Sequence, residues 1–109
     1  MTTKTERTRA LNDALRTTGS GGRVMMTRGI AALPVNEVKE ILLAVQSFTD
    51  FNADNDPHGE HDFALLQVAG QNVMFKIDYY DRSMTGGSED PSDANLTCRV
   101  LTILLASEY

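Results

Sequence analysis

The chain has 109 residues, of which 41% are hydrophobic and 23% are charged, as is typical of one globular domain. Its single cysteine, Cys98, excludes an internal disulfide and all-cysteine zinc sites. No apolar stretch approaches the ~20 residues of a membrane helix, and the N-terminus lacks the apolar segment of a signal peptide. We therefore expect a single domain over residues 1–109 that is located in the cytoplasm.

The formal net charge of −5 is divided unevenly along the chain. Residues 1–48 contain seven basic and four acidic side chains, whereas residues 49–109 contain three basic and eleven acidic ones. The second part therefore has a net charge of −8, which repels nucleic acid and attracts basic partners. The alternative is that acidic loops merely keep a small domain soluble.

The first periodic segment, TERTRALNDALRTT, predicts a helix with a narrow apolar stripe at Leu11 and Leu15. Thr3 and Glu6 fit a capping box, and Gly19 stands where a left-handed C-cap would end the helix. Because the stripe is thin, we expect this helix to pack at the periphery.

The glycine-rich residues 19–22 do not fit a phosphate-binding loop, because no GK[ST] sequence follows them. The next segment, RVMMTRGI, predicts a strand with Val24 and Met26 on one face. LPVNEVKEILLAVQSF then gives the clearest helical pattern of the chain. Its predicted stripe comprises Val35, Val38, Ile41, Leu42, Val45 and Phe48.

DFALLQVAGQNVMFKIDYY predicts two strands of a hairpin, since Gly70 and Asn72 suit a tight turn. Alternate residues of the second strand share one face, with Val73, Phe75, Ile77 and Tyr79 on the buried side.

The C-terminal segment, ANLTCRVLTILLASEY, is interpreted as a helix with Asp93 as its N-cap. Its buried stripe would then be formed by Leu96, Val100, Ile103 and Leu104. The predicted element order is α-β-α-β-β-α. We expect an α+β fold, a small three-stranded, mostly antiparallel sheet packed against helices.

Both histidines lie in the polar loop TDFNADNDPHGEH together with several carboxylates. A calcium loop that starts at Asp54 fails, because its fifth position is His58 and its twelfth is Leu65. The H-x-x-H spacing of His58 and His61 is weakly specific for a transition metal, and no third histidine exists. We expect neither a metal nor another cofactor.

A small metal- or histidine-dependent hydrolase that uses His58, His61 and Asp62 is the alternative function, since a histidine flanked by acids suits acid–base catalysis. The structural explanation is that DNDPHG contains the residues that a tight irregular loop requires. No residue is assigned a catalytic role.

The sequence favours a non-enzymatic binding protein whose acidic second part contacts a basic protein surface, without direct binding to nucleic acid or membranes. Tyr80, which alternation places next to acids on the second face of its strand, suits an anchor of protein contacts. A third alternative is a homodimer formed through the edge of the hairpin. The expected contact residues are Asp54, Asp56, Glu60, Asp78, Tyr80, Asp81, Glu89 and Asp90.

Four segments, RALNDALR, DNDPHGEHDF, FKIDYYD and RVLTILLASEY, together resemble a family of short bacterial proteins known only as a domain of unknown function. The resemblance runs from about Arg7 to Tyr109. It implies a compact one-domain protein of the kind found in alphaproteobacteria and their plasmids and integrated elements, with no activity to carry over. By analogy, it also implies a counter-defence factor (anti-CRISPR or anti-restriction) that blocks a nucleic-acid-binding surface.

Overall fold

A computed structural model of the chain describes residues 2–109, which form one mixed sheet with helices on it. The sheet has the strand order β1-β4-β3-β2; β1 runs parallel to β4, and the other neighbours are antiparallel. The α+β fold and the single domain are as predicted, but the sheet has four strands instead of three. The elements are α1 (Lys4–Thr18), β1 (Arg23–Met26), α2 (Arg28–Ala31), α3 (Val35–Ser47), β2 (Phe63–Val68), β3 (Gln71–Tyr80), β4 (Cys98–Leu105) and a 3₁₀ turn (Ala106–Glu108).

The predicted C-terminal helix is wrong, because its residues form β4, a central strand of the sheet. β4 is paired on both edges and is buried on both faces. A strand buried on both faces has a nearly continuous apolar sequence, which also fits a helical stripe. The β-branched Val100, Thr102 and Ile103 favour the strand, and Leu96 lies before it and is exposed.

Helix α1 begins and ends as predicted. The Thr3 hydroxyl accepts from the backbone N–H of Glu6, and the Glu6 carboxylate accepts from the backbone N–H of Thr3, both at 3.1 Å. Gly19 has a φ of 75° and donates its N–H to the Leu15 carbonyl at 2.8 Å. The peripheral placement is wrong, however, since Leu15 is fully buried in the core.

Helices α1 and α3 pack against each other on one face of the sheet. The buried stripe of α3 centres on Ile41 and Val45, whereas Val35, at the start of the predicted stripe, is 71% exposed. The sequence does not predict the short helix α2. Because α2 follows, the strand predicted over RVMMTRGI ends at Met26, and Ile30 of α2 lies in the core. The core comprises Leu15, Ile30, Ile41, Val45, Ala64, Val73, Phe75, Ile77, Leu101 and Ile103.

None of the helices within residues 2–109 has the length and apolar character needed to span a bilayer.

The hairpin of β2 and β3 confirms the prediction. Val68 pairs with Gln71, so Ala69 and Gly70 form a two-residue turn in which φ is 54° and 74°. Positive φ at both central residues gives a turn whose twist matches that of the strands. Asn72, expected in the turn, lies inside β3.

The end of the chain is fastened by the carboxylate of Glu108. Its Oε1 accepts from the Thr27 hydroxyl at 2.6 Å and from the Leu105 N–H at 2.9 Å, and its Oε2 accepts from the Gly29 N–H at 3.0 Å. A Cβ at position 29 would lie 2.5 Å from this carboxylate, so any other residue there would displace the Glu108 side chain from these hydrogen bonds. The adjacent Tyr109 is 81% exposed.

Truncation of Leu101, which is 1% exposed in β4, should test the central position of this strand. Leu101→Ala leaves a cavity between the sheet and the helices, and we expect it to lower the free energy of unfolding by about 2–5 kcal/mol. Leu43→Ala is the control, since Leu43 on α3 is 64% exposed, and it should change stability by less than about 0.5 kcal/mol. Urea denaturation measures both; equal effects of the two variants would contradict the core placement of β4.

The pH dependence of stability should report the contacts of Glu108. Hydrogen bonds from Thr27 and from the backbone of Leu105 lower the pKa of Glu108 below its ordinary 4.5. The carboxylate therefore stabilises the fold above pH 4.5, and the contribution is lost as the pH falls through the lower pKa of the folded state. Glu108→Gln should lower the melting temperature at pH 7, and the difference should vanish at about pH 2. Glu89→Gln, at an exposed loop position, should show no such difference.

Candidate functional site

The loop between α3 and β2 is held against α1 by buried polar groups. The side chain of Asp56 is 5% exposed, and its Oδ1 accepts from the backbone N–H groups of Glu60 and His61 at 3.1 and 3.2 Å. Asn12 of α1 donates to the Glu60 carbonyl at 3.0 Å. The sequence predicts Asp56 as a surface contact, but it is a buried group that shapes this loop.

His61 is held between two carboxylates. Its Nδ1 lies 2.9 Å from Asp13 Oδ1 and its Nε2 lies 3.7 Å from Asp56 Oδ2. Its ring stacks on Phe51, with the centroids 3.9 Å apart. Its backbone has a φ of 55°, a left-handed conformation that a non-glycine residue keeps only where its surroundings hold it. Through these contacts His61 attaches the loop to α1.

The geometry gives little support to catalysis by the predicted trio. Neither ring nitrogen of His61 has a hydroxyl or thiol partner within residues 2–109, and His58 is exposed to solvent. Burial raises the pKa of Asp62, and the neighbouring carboxylate of Glu60 contributes in the same direction. Within the same residues, no group of three or more His, Cys, Asp or Glu side chains is placed to hold a metal ion.

Asn12 joins α1 to the sheet. It is fully buried; its Nδ2 donates to the Tyr79 hydroxyl at 2.7 Å and its Oδ1 accepts from Arg99 Nε at 2.6 Å. The Tyr79 hydroxyl in turn donates to Glu60 Oε1 at 2.8 Å. Burial, with the Glu60 carboxylate nearby, raises the pKa of Tyr79 far above its ordinary value, so the hydroxyl stays a neutral donor. Sequence reasoning missed Asn12; the available signal was its position three residues before Leu15, on the buried face of α1.

Arg16, which is also buried, closes the end of α3. Its Nη1 donates to the carbonyls of Val45, Gln46 and Phe48 at 3.0, 3.3 and 2.8 Å. Its Nη2 donates to Asp13 Oδ1 at 3.1 Å. A cation at these carbonyls satisfies the last acceptors of the helix and complements its dipole.

Neither α1 nor α3 covers the second face of the sheet, which we call the open face. Met74, Val100 and Leu104 lie on this face and are 5–6% exposed, although they are not part of the main core. Leu65 and Met25, on the two edge strands, are 57% and 53% exposed. By strand register, the open face comprises Arg23, Met25, Phe63, Leu65, Gln67, Asn72, Met74, Lys76, Asp78, Tyr80, Cys98, Val100, Thr102 and Leu104.

Two of the expected contact residues, Asp78 and Tyr80, lie on the open face. Asp78 accepts from Lys76 Nζ at 2.6 Å, and Tyr80 is half-buried. Tyr80 ends β3 and pairs with Cys98, the first residue of β4, while β2 begins at Phe63 opposite Lys76. The two acidic loops, residues 48–62 and 81–97, therefore meet the sheet at the same end.

Asp81 and Asp90 order the second acidic loop and keep their charge. A hydrogen bond from Ser83 lowers the pKa of Asp81, and one from Ser92 lowers that of Asp90. Asp90 also lies 3.4 Å from Lys4 Nζ. Both carboxylates are therefore ionised at neutral pH, although each also accepts hydrogen bonds from residues of its own loop.

The expected contact residues thus separate into two groups. Asp56 and Glu60 hold the first acidic loop to α1 and Tyr79. The others are at least partly exposed on the open face or in the acidic loops: Asp54, Asp78, Tyr80, Asp81, Glu89 and Asp90.

Removal of Asn12 should destabilise the protein, because Arg99 Nε and the Tyr79 hydroxyl both lose a buried partner. We expect Asn12→Ala to lower the free energy of unfolding by about 2–3 kcal/mol. Asn95→Ala, at an exposed position, should change it by less than about 0.5 kcal/mol. Chemical denaturation measures both. An Asn12→Ala protein as stable as the wild type would show that the hydrogen bonds of Asn12 to Arg99 and Tyr79 do not stabilise the fold.

A family model described as a protein of unknown function (DUF3768) matches residues 26–108. The match includes both acidic loops and β2, β3 and β4, while α1 lies before it. Neither a search of curated proteins nor a search of solved structures found a match. Because the matched residues make up well over half of the chain, the protein belongs to this family of proteins of unknown function.

Proposed function

We propose that this protein is a non-enzymatic binding protein that docks on a basic protein through its open face and the adjoining acidic loops. The observation that supports the proposal is a sheet face of mixed apolar and polar side chains that neither long helix covers and that has carboxylates at one end. Exposed Leu65 and Met25 with the half-buried Tyr80 provide apolar contact area, and the acidic loops provide a polar rim.

The sign of the charge favours a basic partner. Residues 49–109 have a net charge of −8, and only three of their eleven acidic side chains form ion pairs within residues 2–109. The remaining carboxylates keep an uncompensated negative field, which accelerates encounter with a positive surface.

The more specific form of this proposal is a counter-defence factor in the bacterial cytoplasm. Such a factor would occupy the nucleic-acid-binding surface of a restriction or CRISPR complex, with its carboxylates in the place of phosphates. The acidic loops and the resemblance to proteins of mobile elements support this form. The hydrolase alternative has less support, because both nitrogens of His61 face carboxylates.

Affinity capture from bacterial lysate tests the docking surface. We expect a partner that is retained at about 0.1 M salt and released at about 0.5 M, since exposed charges are screened within ~8 Å at physiological ionic strength. Leu65→Glu should abolish retention through the open face, and a double variant, Asp54→Lys with Glu89→Lys, should abolish it through the acidic loops.

Two matched variants of α3 serve as controls. Leu43→Glu places the same change at a residue that is 64% exposed, and Glu37→Lys with Glu40→Lys reverses the same number of charges. Both should retain the partner. A partner lost with the α3 variants but kept by the Leu65→Glu protein would show that a different surface binds it.

A further inference from the structure

We propose that a cleft beside β1, at the end of the sheet where the second acidic loop begins, binds the phosphate group of a small molecule. The cleft has a volume of about 390 Å³ and lies between the start of β1 and the loop that precedes β4. Its lining comprises Gly21, Gly22, Arg23, Arg82, Ala94, Thr97, Cys98 and Arg99.

The charge of this lining is opposite to that of the protein. Arg23, Arg82 and Arg99 border the cleft, and no acidic side chain lines it. Within residues 2–109, none of the three guanidinium groups has a carboxylate partner within 4.0 Å. Two of the three basic residues in the acidic part of the chain are therefore gathered at one cleft, without counter-ions.

Arg99 provides a second, independent observation. It is 1% exposed, and its guanidinium donates to neutral acceptors, Asn12 Oδ1 and the Pro91 carbonyl. Burial lowers the pKa of Arg99, and interactions with Tyr79 and the Glu60 carboxylate offset only part of this effect. An anion held by Arg23 and Arg82, which are exposed, would place negative charge beside this buried cation.

Phosphate is the anion that this lining fits best. Guanidinium groups bind phosphate through pairs of parallel hydrogen bonds, and two or three of them match its double charge. The volume lies within the range of small-molecule sites and admits a mononucleotide-sized ligand. A long polyanion is disfavoured because the whole chain has a net charge of −5.

The cysteine in the cleft gives a direct test of occupancy. Cys98 lines the cleft, is partly exposed and is the only cysteine of the chain. Alkylation by iodoacetamide, a neutral reagent, should slow in a saturable manner when pyrophosphate or AMP is added. Calorimetry with the same two compounds should give the same dissociation constants.

Charge-removing variants separate a specific site from general attraction. Arg23→Gln and Arg82→Gln should each weaken binding of pyrophosphate about tenfold or more. Arg28→Gln makes the same change in net charge just beyond the far end of β1 and should leave affinity within about twofold. Arg99→Gln removes a buried hydrogen bond and destabilises the fold, so it is not used.

Three results would overturn the proposal. The first is that millimolar pyrophosphate and AMP neither slow the alkylation of Cys98 nor give a heat of binding, while thermal melts confirm that the protein is folded. The second is that Arg23→Gln, Arg82→Gln and the control Arg28→Gln weaken binding equally, which would indicate unspecific charge attraction. The third is that a single-stranded oligonucleotide protects Cys98 while both small compounds do not, which would make the ligand a nucleic acid.

Discussion

The buried side chain of Asn12 links the helical layer to the sheet and to the first acidic loop. One buried amide connects α1 to β4 through Arg99, to β3 through Tyr79 and to the first acidic loop through the Glu60 carbonyl. The loop in turn places His61 between Asp13 and Asp56, so the histidine fastens α1 from the other side. The polar groups that resemble a reactive cluster in the sequence therefore have a structural role, because their hydrogen bonds attach an irregular loop to a helix.

The two long helices cover one face of the sheet and leave side chains of the other face accessible. α1 and α3 both pack on the face of Phe75 and Ile103, and the open face keeps Leu65 and Met25 accessible. The two acidic loops meet the sheet at one end, so apolar area and negative charge are combined on one side of a small domain. We propose that this combination serves association with a basic protein.

Local features could be predicted from the sequence, and features that depend on distant segments could not. The caps at Thr3 and Gly19 and the hairpin at Gly70 follow from neighbouring residues and are confirmed. The sequence of β4 predicts a helix because a strand buried on both faces has the same apolar run, and only its pairing with β1 and β3 distinguishes the two. Burial of Asp56 and the gathering of Arg23 with Arg82 likewise arise from chain segments far apart in sequence.

We propose that the open face, and not the helical layer, contacts the partner. A methyl NMR titration of the protein with its captured partner distinguishes the two surfaces, because methyl groups report contacts on both layers. We expect the signals of Met25 and Leu65 to shift or broaden on binding, while those of Val35 and Leu43 on α3 stay unchanged. Changes confined to the methyl groups of α3, with Met25 and Leu65 unaffected, would contradict it.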